Sequence, residues 1–129
     1  MTLPGPYIAL VDDDAPLRTA LGRLLRLAEF EVSAFPSGEA FLASLVARYP
    51  DCLILDVHMP GLSGLDVQAH LRAARTRIPV VFMTAAGDLA LEQVVQEAGG
   101  AWLLRKPFSD AELLYAIGSA LRIKPSDLS

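Results

Sequence analysis

The sequence predicts an α/β fold in which a parallel sheet of five strands is covered by helices on both faces. Short apolar runs alternate with segments that carry apolar residues at helical spacing, which is typical of such sheets. The apolar runs end near positions 12, 34, 56, 84 and 106, so their spacings are 22, 22, 28 and 22 residues. The 129 residues, of which 53% are hydrophobic and 20% charged, suffice for one domain with its own core.

The first two strands are predicted at residues 7–11 and 31–34. The first of them ends in three aspartates, Asp12 to Asp14, and Pro16 then suits the first turn of a helix. The apolar face of that helix comprises Leu17, Leu21, Leu24 and Ala28. Ser37 is placed to cap a second helix. The residues that this helix turns inward are Phe41, Leu42 and Leu45.

The third predicted strand carries the most informative residue of the chain. Residues 52–55 form an uninterrupted apolar run, Asp56 follows, and Pro60-Gly61 closes the exit loop. A carboxylate at the end of a buried strand is unfavourable unless a cation or a hydrogen-bond donor meets it. Ser63 and Asp66 have the spacing of a capping box for the third helix.

The last two strands are predicted at residues 80–83 and 101–104. Thr84 follows the first of them, and Arg105-Lys106-Pro107 follows the second. The fourth helix is predicted from Gly87 to Gly99-Gly100, with an apolar face of Leu91, Val94, Val95 and Ala98. A second capping-box pattern for the fifth helix is formed by Ser109 and Glu112.

Composition and charge argue against several classes of function. Fifteen acidic residues against eleven basic ones give a net charge of −4, which disfavours direct binding of a nucleic-acid backbone by this domain. No apolar run approaches the length of a membrane span, and the N-terminus lacks signal-peptide features, so we expect a cytoplasmic protein. Cys52, the only cysteine, lies in an apolar run and is expected to be a core residue rather than a nucleophile.

Polar residues follow four of the predicted strands. Parallel strands end at the same edge of their sheet, which is where ligands bind in open α/β sheets, so these residues should gather there. They are Asp12, Asp13, Asp56, Thr84 and Lys106. Clustered carboxylates require a proton or a cation, and an all-oxygen cluster with room for water suits Mg²⁺. With Thr84 and Lys106 as donors to phosphoryl oxygens, Asp56 could act as a nucleophile and form an aspartyl phosphate.

Each of these residues also has a plain structural explanation. Aspartates 12–14 could serve only a helix N-terminus, and Asp56 could merely cap its exit loop. Lys106 could be a solvated loop residue, and Thr84 could reflect β-propensity. Their joint position at the ends of one sheet favours a site. Of the other function classes, an unphosphorylated interaction module would not need these residues, and three aspartates would repel the phosphate of a flavin cofactor. A phosphohydrolase would need a substrate pocket, for which the sequence has no insertion.

The sequence resembles the response-regulator receiver domains of two-component systems from about residue 7 to residue 121. The motifs that match are Val11-Asp12-Asp13 with Arg18, Asp56 with Met59-Pro60-Gly61 and Gly64, Thr84-Ala85, and Lys106-Pro107-Phe108. The resemblance implies a doubly wound, flavodoxin-like fold with strand order 2-1-3-4-5 and five helices, and a cis bond between Lys106 and Pro107. It also implies that Asp56 accepts a phosphoryl group, which Thr84 and Lys106 bind.

The resemblance further implies a Mg²⁺ site, in which Mn²⁺ could substitute. Asp13 and Asp56 would ligate the cation directly with the main-chain carbonyl of His58, and Asp12 would act through water. Such a protein catalyses only its own phosphorylation and dephosphorylation and is otherwise not an enzyme. We also hypothesise that the His58 side chain faces the site entrance and modulates loss of the phosphoryl group.

Weaker similarities point to the FixJ-type branch, whose receivers commonly precede a helix-turn-helix DNA-binding domain. They are Phe35, residues 37–42, Gly87-Asp88 and Lys106-Pro107-Phe108. We therefore expect a receiver domain at residues 1–122, followed at residues 123–129 by a tail or the start of a linker. It would accept the phosphoryl group from a sensor histidine kinase or a phosphotransfer protein and control transcription through a domain absent from this chain. The alternative is a stand-alone receiver that acts through protein–protein interaction or as a phosphate relay or sink.

One position departs from the family pattern. Receivers usually carry Tyr or Phe three residues before the lysine, whereas this chain has Leu103, next to its only tryptophan, Trp102. Neighbouring strand residues face opposite ways, so Trp102 is not an automatic substitute.

We also expect a phosphorylation-dependent homodimer through residues 88–122. Its apolar and charged contacts would come from Leu91, Glu92, Glu97, Arg105, Glu112 and Tyr115.

Overall fold

The computed structural model describes residues 5–85, 89–97 and 102–122, apart from the side chains of residues 90 and 91. Strands and helices alternate along these residues, as predicted. In chain order they are β1 (Tyr7–Val11), α1 (Ala15–Leu27), β2 (Glu31–Phe35), α2 (Gly38–Ser44), β3 (Cys52–Asp56), α3 (Gly64–Ala73), β4 (Val80–Ala85), α4 (Leu89–Glu97), β5 (Trp102–Lys106) and α5 (Asp110–Leu121). Among them, none of the helices is long and apolar enough to cross a membrane.

The strands form one parallel sheet in the order β2-β1-β3-β4-β5, which confirms the predicted fold class and strand order. The central strand β3 lies between β1 and β4. The register places Val11 beside Leu55, and Asp56 beside Met83. The residues that follow β1 therefore lie close to the end of β3, at the carboxyl edge where the site was predicted.

Strand residues alternate between two hydrophobic cores, one on each face of the sheet. The core that α1 and α5 cover includes Leu25, Ile54 and Ile117. The core that α2, α3 and α4 cover includes Phe41, Leu55, Val67 and Val95. β1 and β3 are buried along their whole length, as expected for strands covered on both sides. Each fully buried Leu or Ile contributes about 1.5–3 kcal/mol, so these cores can support a charged site at the sheet edge.

The predicted helix caps are present. The capping residues of α2, α3 and α5 are Ser37, Ser63 with Asp66, and Ser109 with Glu112. Pro16 lies in the first turn of α1, which Asp14 caps by accepting a hydrogen bond from the Leu17 N–H at 3.2 Å. Asp14 therefore has a structural role, and this separates it from the two aspartates before it.

Some predicted boundaries were wrong. β2 continues to Phe35, and the first helix ends at Leu27, with Ala28 as its C-cap. β4 and β5 continue to Ala85 and Lys106, because pairing between these strands extends to the edge of the sheet. Gly87, Ala98 and Gly99-Gly100, and the predicted tail or linker at residues 123–129, lie outside the described residues.

Candidate functional site

The loop that follows β1 holds one aspartate inside the protein and the next at the surface. Asp12 is fully buried, and its Oδ1 accepts a hydrogen bond from the Asp14 N–H at 2.9 Å. The Asp12 N–H donates to the carbonyl of Phe35 in β2 at 3.2 Å. The Asp12 carbonyl accepts from Nη1 of Arg18 at 2.8 Å. Asp13 is exposed, so its carboxylate stands at the solvent side of the loop.

Asp56 ends the central strand and is 4% exposed. Its Oδ1 accepts a hydrogen bond from the main-chain N–H of His58 at 3.3 Å. Gly64, the first residue of α3, lies against the Asp56 main chain, and a Cβ at this glycine would overlap the Asp56 carbonyl oxygen. The glycine thus allows α3 to start directly beneath the loop that leaves Asp56.

Lys106 connects the two buried carboxylates. It ends β5, and the Lys106–Pro107 bond is cis, as the resemblance implied. Its Nζ lies 3.1 Å from Oδ2 of Asp12 and 3.3 Å from Oδ2 of Asp56. The side chain therefore reaches past β4 to the carboxyl ends of β3 and β1, and the structure brings together residues that are up to 94 positions apart in the sequence.

The site remains rich in negative charge despite this lysine. Burial and the Asp12 carboxylate raise the pKa of Asp56 to about 6, although Lys106 and the His58 N–H oppose the shift. Burial disfavours the ammonium of Lys106, but its contacts with Asp12 and Asp56 outweigh burial and raise its pKa. Three carboxyl groups lie close together and the ammonium contacts two of them, so a bound cation would stabilise their ionised forms.

The carboxylates fit a small divalent cation. One oxygen each from Asp12, Asp13 and Asp56 lies within 4.8 Å of the others. These are hard oxygen donors, and the exposed side of Asp13 leaves room for water ligands, which Mg²⁺ usually retains. The main chain of His58 lies at the same rim, because its N–H bonds Asp56. The residues present therefore suit the Mg²⁺ that the resemblance implies.

Thr84 supplies a buried hydroxyl near the same edge. It lies in β4 beside Arg105, and its side chain is inaccessible to solvent. Within the described part of the chain, the Thr84 Oγ1 has no hydrogen-bond partner. An unpaired buried polar group lowers the stability of the fold by about 1–3 kcal/mol. A ligand oxygen that accepted a hydrogen bond from Thr84 would therefore recover part of this free energy.

The other predicted features of β5 and the His58 loop are also clear. Trp102 packs against the core beside α1 and α5, whereas Leu103 packs against the opposite core. The expectation that they face opposite ways is therefore confirmed. His58 is exposed, and with Val57, Met59, Pro60 and Ser63 it lines an open cavity of about 350 Å³. The His58 side chain is thus accessible to solvent, while its main-chain N–H contacts Asp56.

An ion pair that the sequence did not indicate joins α4 to β5. Arg105 donates from Nε and Nη2 to both carboxylate oxygens of Glu92, which is 7% exposed. The sequence predicts both residues on a dimer surface. In the structure, they form an ion pair with each other within the chain. Tyr115 of that surface is 76% exposed. Asp88 and the side chain of Leu91, also expected there, lie outside what the structure describes.

Comparisons with known proteins agree with this geometry. Residues 8–118 match a family model described as the response regulator receiver domain. Nodulation protein W of Bradyrhizobium diazoefficiens is 40% identical over 113 residues, covering 88% of this chain and 50% of that protein. Transcriptional regulatory protein FixJ of the same organism is 38% identical over 122 residues, covering 95% of this chain and 59% of that protein.

The structural similarity is equally broad. The crystal structure of FixJ-N aligns with a TM-score of 0.87 and 30% identity, covering 95% of this chain and 98% of that chain. In contrast, the chain spans only about half the length of the curated relatives it matches. The similarity therefore concerns one domain of those longer proteins, and it agrees with the FixJ-type branch inferred from the motifs.

Proposed function

Because the chain belongs to the response regulator receiver domain family, we propose that it accepts a phosphoryl group on Asp56 from the phosphohistidine of a sensor kinase or phosphotransfer protein. One observation carries this assignment: a single ammonium, that of Lys106, lies within 3.3 Å of both Asp12 and Asp56. A receiver is a signalling domain, so this chemistry would act on the protein itself and on no separate substrate.

In the proposed transfer, an ionised oxygen of Asp56 attacks the phosphorus atom of the donor. A P–O bond forms while the bond from phosphorus to the donor's imidazole nitrogen breaks, and the electron pair of that bond stays on the nitrogen. Loss of the phosphoryl group would follow when water attacks the same phosphorus atom. The P–O bond to Asp56 then breaks, its electron pair stays on the carboxylate, and inorganic phosphate and a proton are released. Both steps require a nucleophile in line with the leaving group. The exposed residues next to Asp56, which are Asp13 and His58, support access to this site from solvent.

The neighbouring residues would stabilise the charge of the phosphoryl oxygens. Asp13 and Asp56, with the His58 carbonyl, would hold Mg²⁺ directly, and Asp12 would hold it through water. When bound, the cation would neutralise negative charge on the phosphoryl group. Lys106 would exchange a carboxylate contact for a phosphoryl oxygen, and the Thr84 hydroxyl would donate to another. The unpaired Thr84 Oγ1 supports this last role.

Phosphorylation would then shift the domain between two conformations, because the new oxygens interact differently with each of them. Residues 1–122 would form the receiver, which would not itself bind nucleic acid, and residues 88–122 would provide a homodimer surface. Control of transcription through a separate domain is supported by the name and greater length of the relative FixJ. The kinase, the output domain and the dimer belong to this proposal.

Labelling of the isolated protein with a small phosphodonor tests the assignment. Acetyl phosphate with Mg²⁺ or Mn²⁺ should label the wild type, and both excess EDTA and Asp56→Ala should prevent labelling. Asp110→Asn is a suitable control, because Asp110 is an exposed carboxylate in the first turn of α5. Undiminished labelling of Asp56→Ala, or labelling in excess EDTA, would reject the proposal.

A further inference from the structure

The main-chain carbonyl of Asp12 lies at the point where the chain leaves the sheet. The other polar groups of this buried residue bond Phe35, Asp14 and Lys106. The carbonyl instead accepts from Nη1 of Arg18 at 2.8 Å. Arg18 of α1 thus provides the hydrogen-bond donor that a neighbouring strand would provide farther inside the sheet.

This carbonyl belongs to the peptide unit that joins Asp12 to Asp13. A peptide unit is planar, so a hydrogen bond that holds its oxygen also fixes the position of the Asp13 nitrogen and Cα. The Asp13 carboxylate lies within 4.8 Å of the other two carboxylates. Within the described residues, it forms neither a hydrogen bond nor an ion pair that would hold it there. Its position therefore depends on the backbone that Arg18 holds.

The position of Arg18 in α1 is electrostatically unfavourable for the helix. It is the fourth residue of a helix that begins at Ala15, and the positive end of the helix dipole disfavours a cation in this turn. The side chain is half-buried and directed back toward the loop, where its guanidinium meets the carbonyl. A helix-forming role alone would not require a long cationic donor at this position.

We propose that Arg18 is a positioning residue for the carboxylate cluster. Its hydrogen bond to the Asp12 carbonyl holds Asp13 in the arrangement that binds the divalent cation. This inference rests on the proposed function, because it assigns Arg18 a role toward the same cation. A positioning role and a charge effect predict changes of opposite sign in the affinity for the cation. A nearby positive charge repels a cation, so loss of charge alone would tighten cation binding, whereas loss of positioning would weaken it.

The affinity for Mn²⁺, measured by electron paramagnetic resonance of the free ion, separates these two effects. Arg18→Met keeps the apolar stem and removes every donor, and it should weaken Mn²⁺ binding about tenfold, as is typical for residues that orient metal ligands. Arg18→Lys keeps a donor and should bind Mn²⁺ almost as tightly as the wild type does. Arg23→Met removes an exposed arginine from the same helix and should bind like the wild type.

A second measurement on the metal-free protein does not depend on cation binding. Amide hydrogen exchange at Asp14, whose N–H bonds the Asp12 carboxylate, should be faster in Arg18→Met than in the wild type. The Ala40 N–H, which bonds the Ser37 hydroxyl at the start of α2, should exchange at the same rate in both proteins. If Arg18→Met does not fold, Arg18→Gln takes its place in both measurements, with a smaller expected effect.

Unchanged or tighter Mn²⁺ binding by Arg18→Met, or by Arg18→Gln where that variant replaces it, would overturn the positioning role while leaving the proposed function intact. Unchanged exchange at Asp14 would overturn it as well. A wild-type protein that does not bind Mn²⁺ would instead contradict the proposed function, and this inference with it.

Discussion

Removal of the Lys106 ammonium should destabilise the protein when no divalent cation is present. Lys106→Met keeps most of the apolar stem but leaves Asp12 and Asp56 without the ammonium that lies 3.1 and 3.3 Å away. Loss of one partner from a buried charge pair costs about 3–5 kcal/mol. The lysine side chain is 28% exposed, so water should reduce the loss in unfolding free energy to about 1–3 kcal/mol.

A double-mutant cycle with Asp56→Asn isolates the contact from the rest of the site. Asp56→Asn removes one of the two carboxylates that face the lysine, so loss of the lysine should then cost less. We expect a coupling energy of about 1–2 kcal/mol, within the range for residues in contact. Asp56→Asn alone should leave stability unchanged or raise it, because it relieves repulsion between Asp56 and Asp12.

Urea unfolding of the four proteins in EDTA, followed by the same series with Mg²⁺, measures these quantities. Mg²⁺ should restore part of the stability that Lys106→Met loses, because the cation binds only the folded carboxylate cluster. Arg122→Met serves as a control, since Arg122 is an exposed cation at the end of α5. A loss below about 0.5 kcal/mol, the range of an ordinary surface substitution, without coupling to Asp56 would refute the reasoning.

Three other measurements test the surroundings of the site. His58→Ala and His58→Asn should change the rate of phosphoryl loss, because His58 is exposed and its main chain bonds Asp56; wild-type rates in both would contradict this. Trp102 fluorescence should change on adding beryllium fluoride with Mg²⁺, because we expect Thr84 to move toward the ligand and to alter the neighbouring strand β5. The change should vanish in Thr84→Ala, and a full change in that variant would contradict this role of Thr84. Sedimentation with beryllium fluoride should show self-association that Glu92→Gln alters by freeing Arg105, whereas monomers throughout would exclude the dimer.

The fold could be predicted because its pattern is local. Each strand is a short apolar run and each helix has a periodic face, so element type and order follow from neighbouring residues. The ends of β4 and β5 could not be predicted in this way. Thr84 and Lys106 look like loop residues after an apolar run, yet their strands continue because they pair with one another. Pairing between strands, and not local composition, determines where they end.

The composition of the candidate site was predicted from residues at strand ends, whereas its contacts required the fold. The sequence placed Asp12, Asp56 and Lys106 at one edge but could not show that one ammonium meets both carboxylates. The bond from Arg18 to a carbonyl and the pair between Glu92 and Arg105 depend on side-chain directions across elements. The family motif includes Arg18 but does not show which atom it contacts, and no motif or periodic pattern indicates that Glu92 pairs with Arg105.

Mapping of the phosphoryl group after transfer from a phosphohistidine donor tests the central claim most directly. After brief incubation with the donor and Mg²⁺, the acyl phosphate can be reduced with borohydride and the modified residue located by peptide mass spectrometry. The account predicts modification at Asp56 alone, and none in the presence of EDTA. Modification at Asp12, Asp13 or another carboxylate while Asp56 remains unmodified would contradict it.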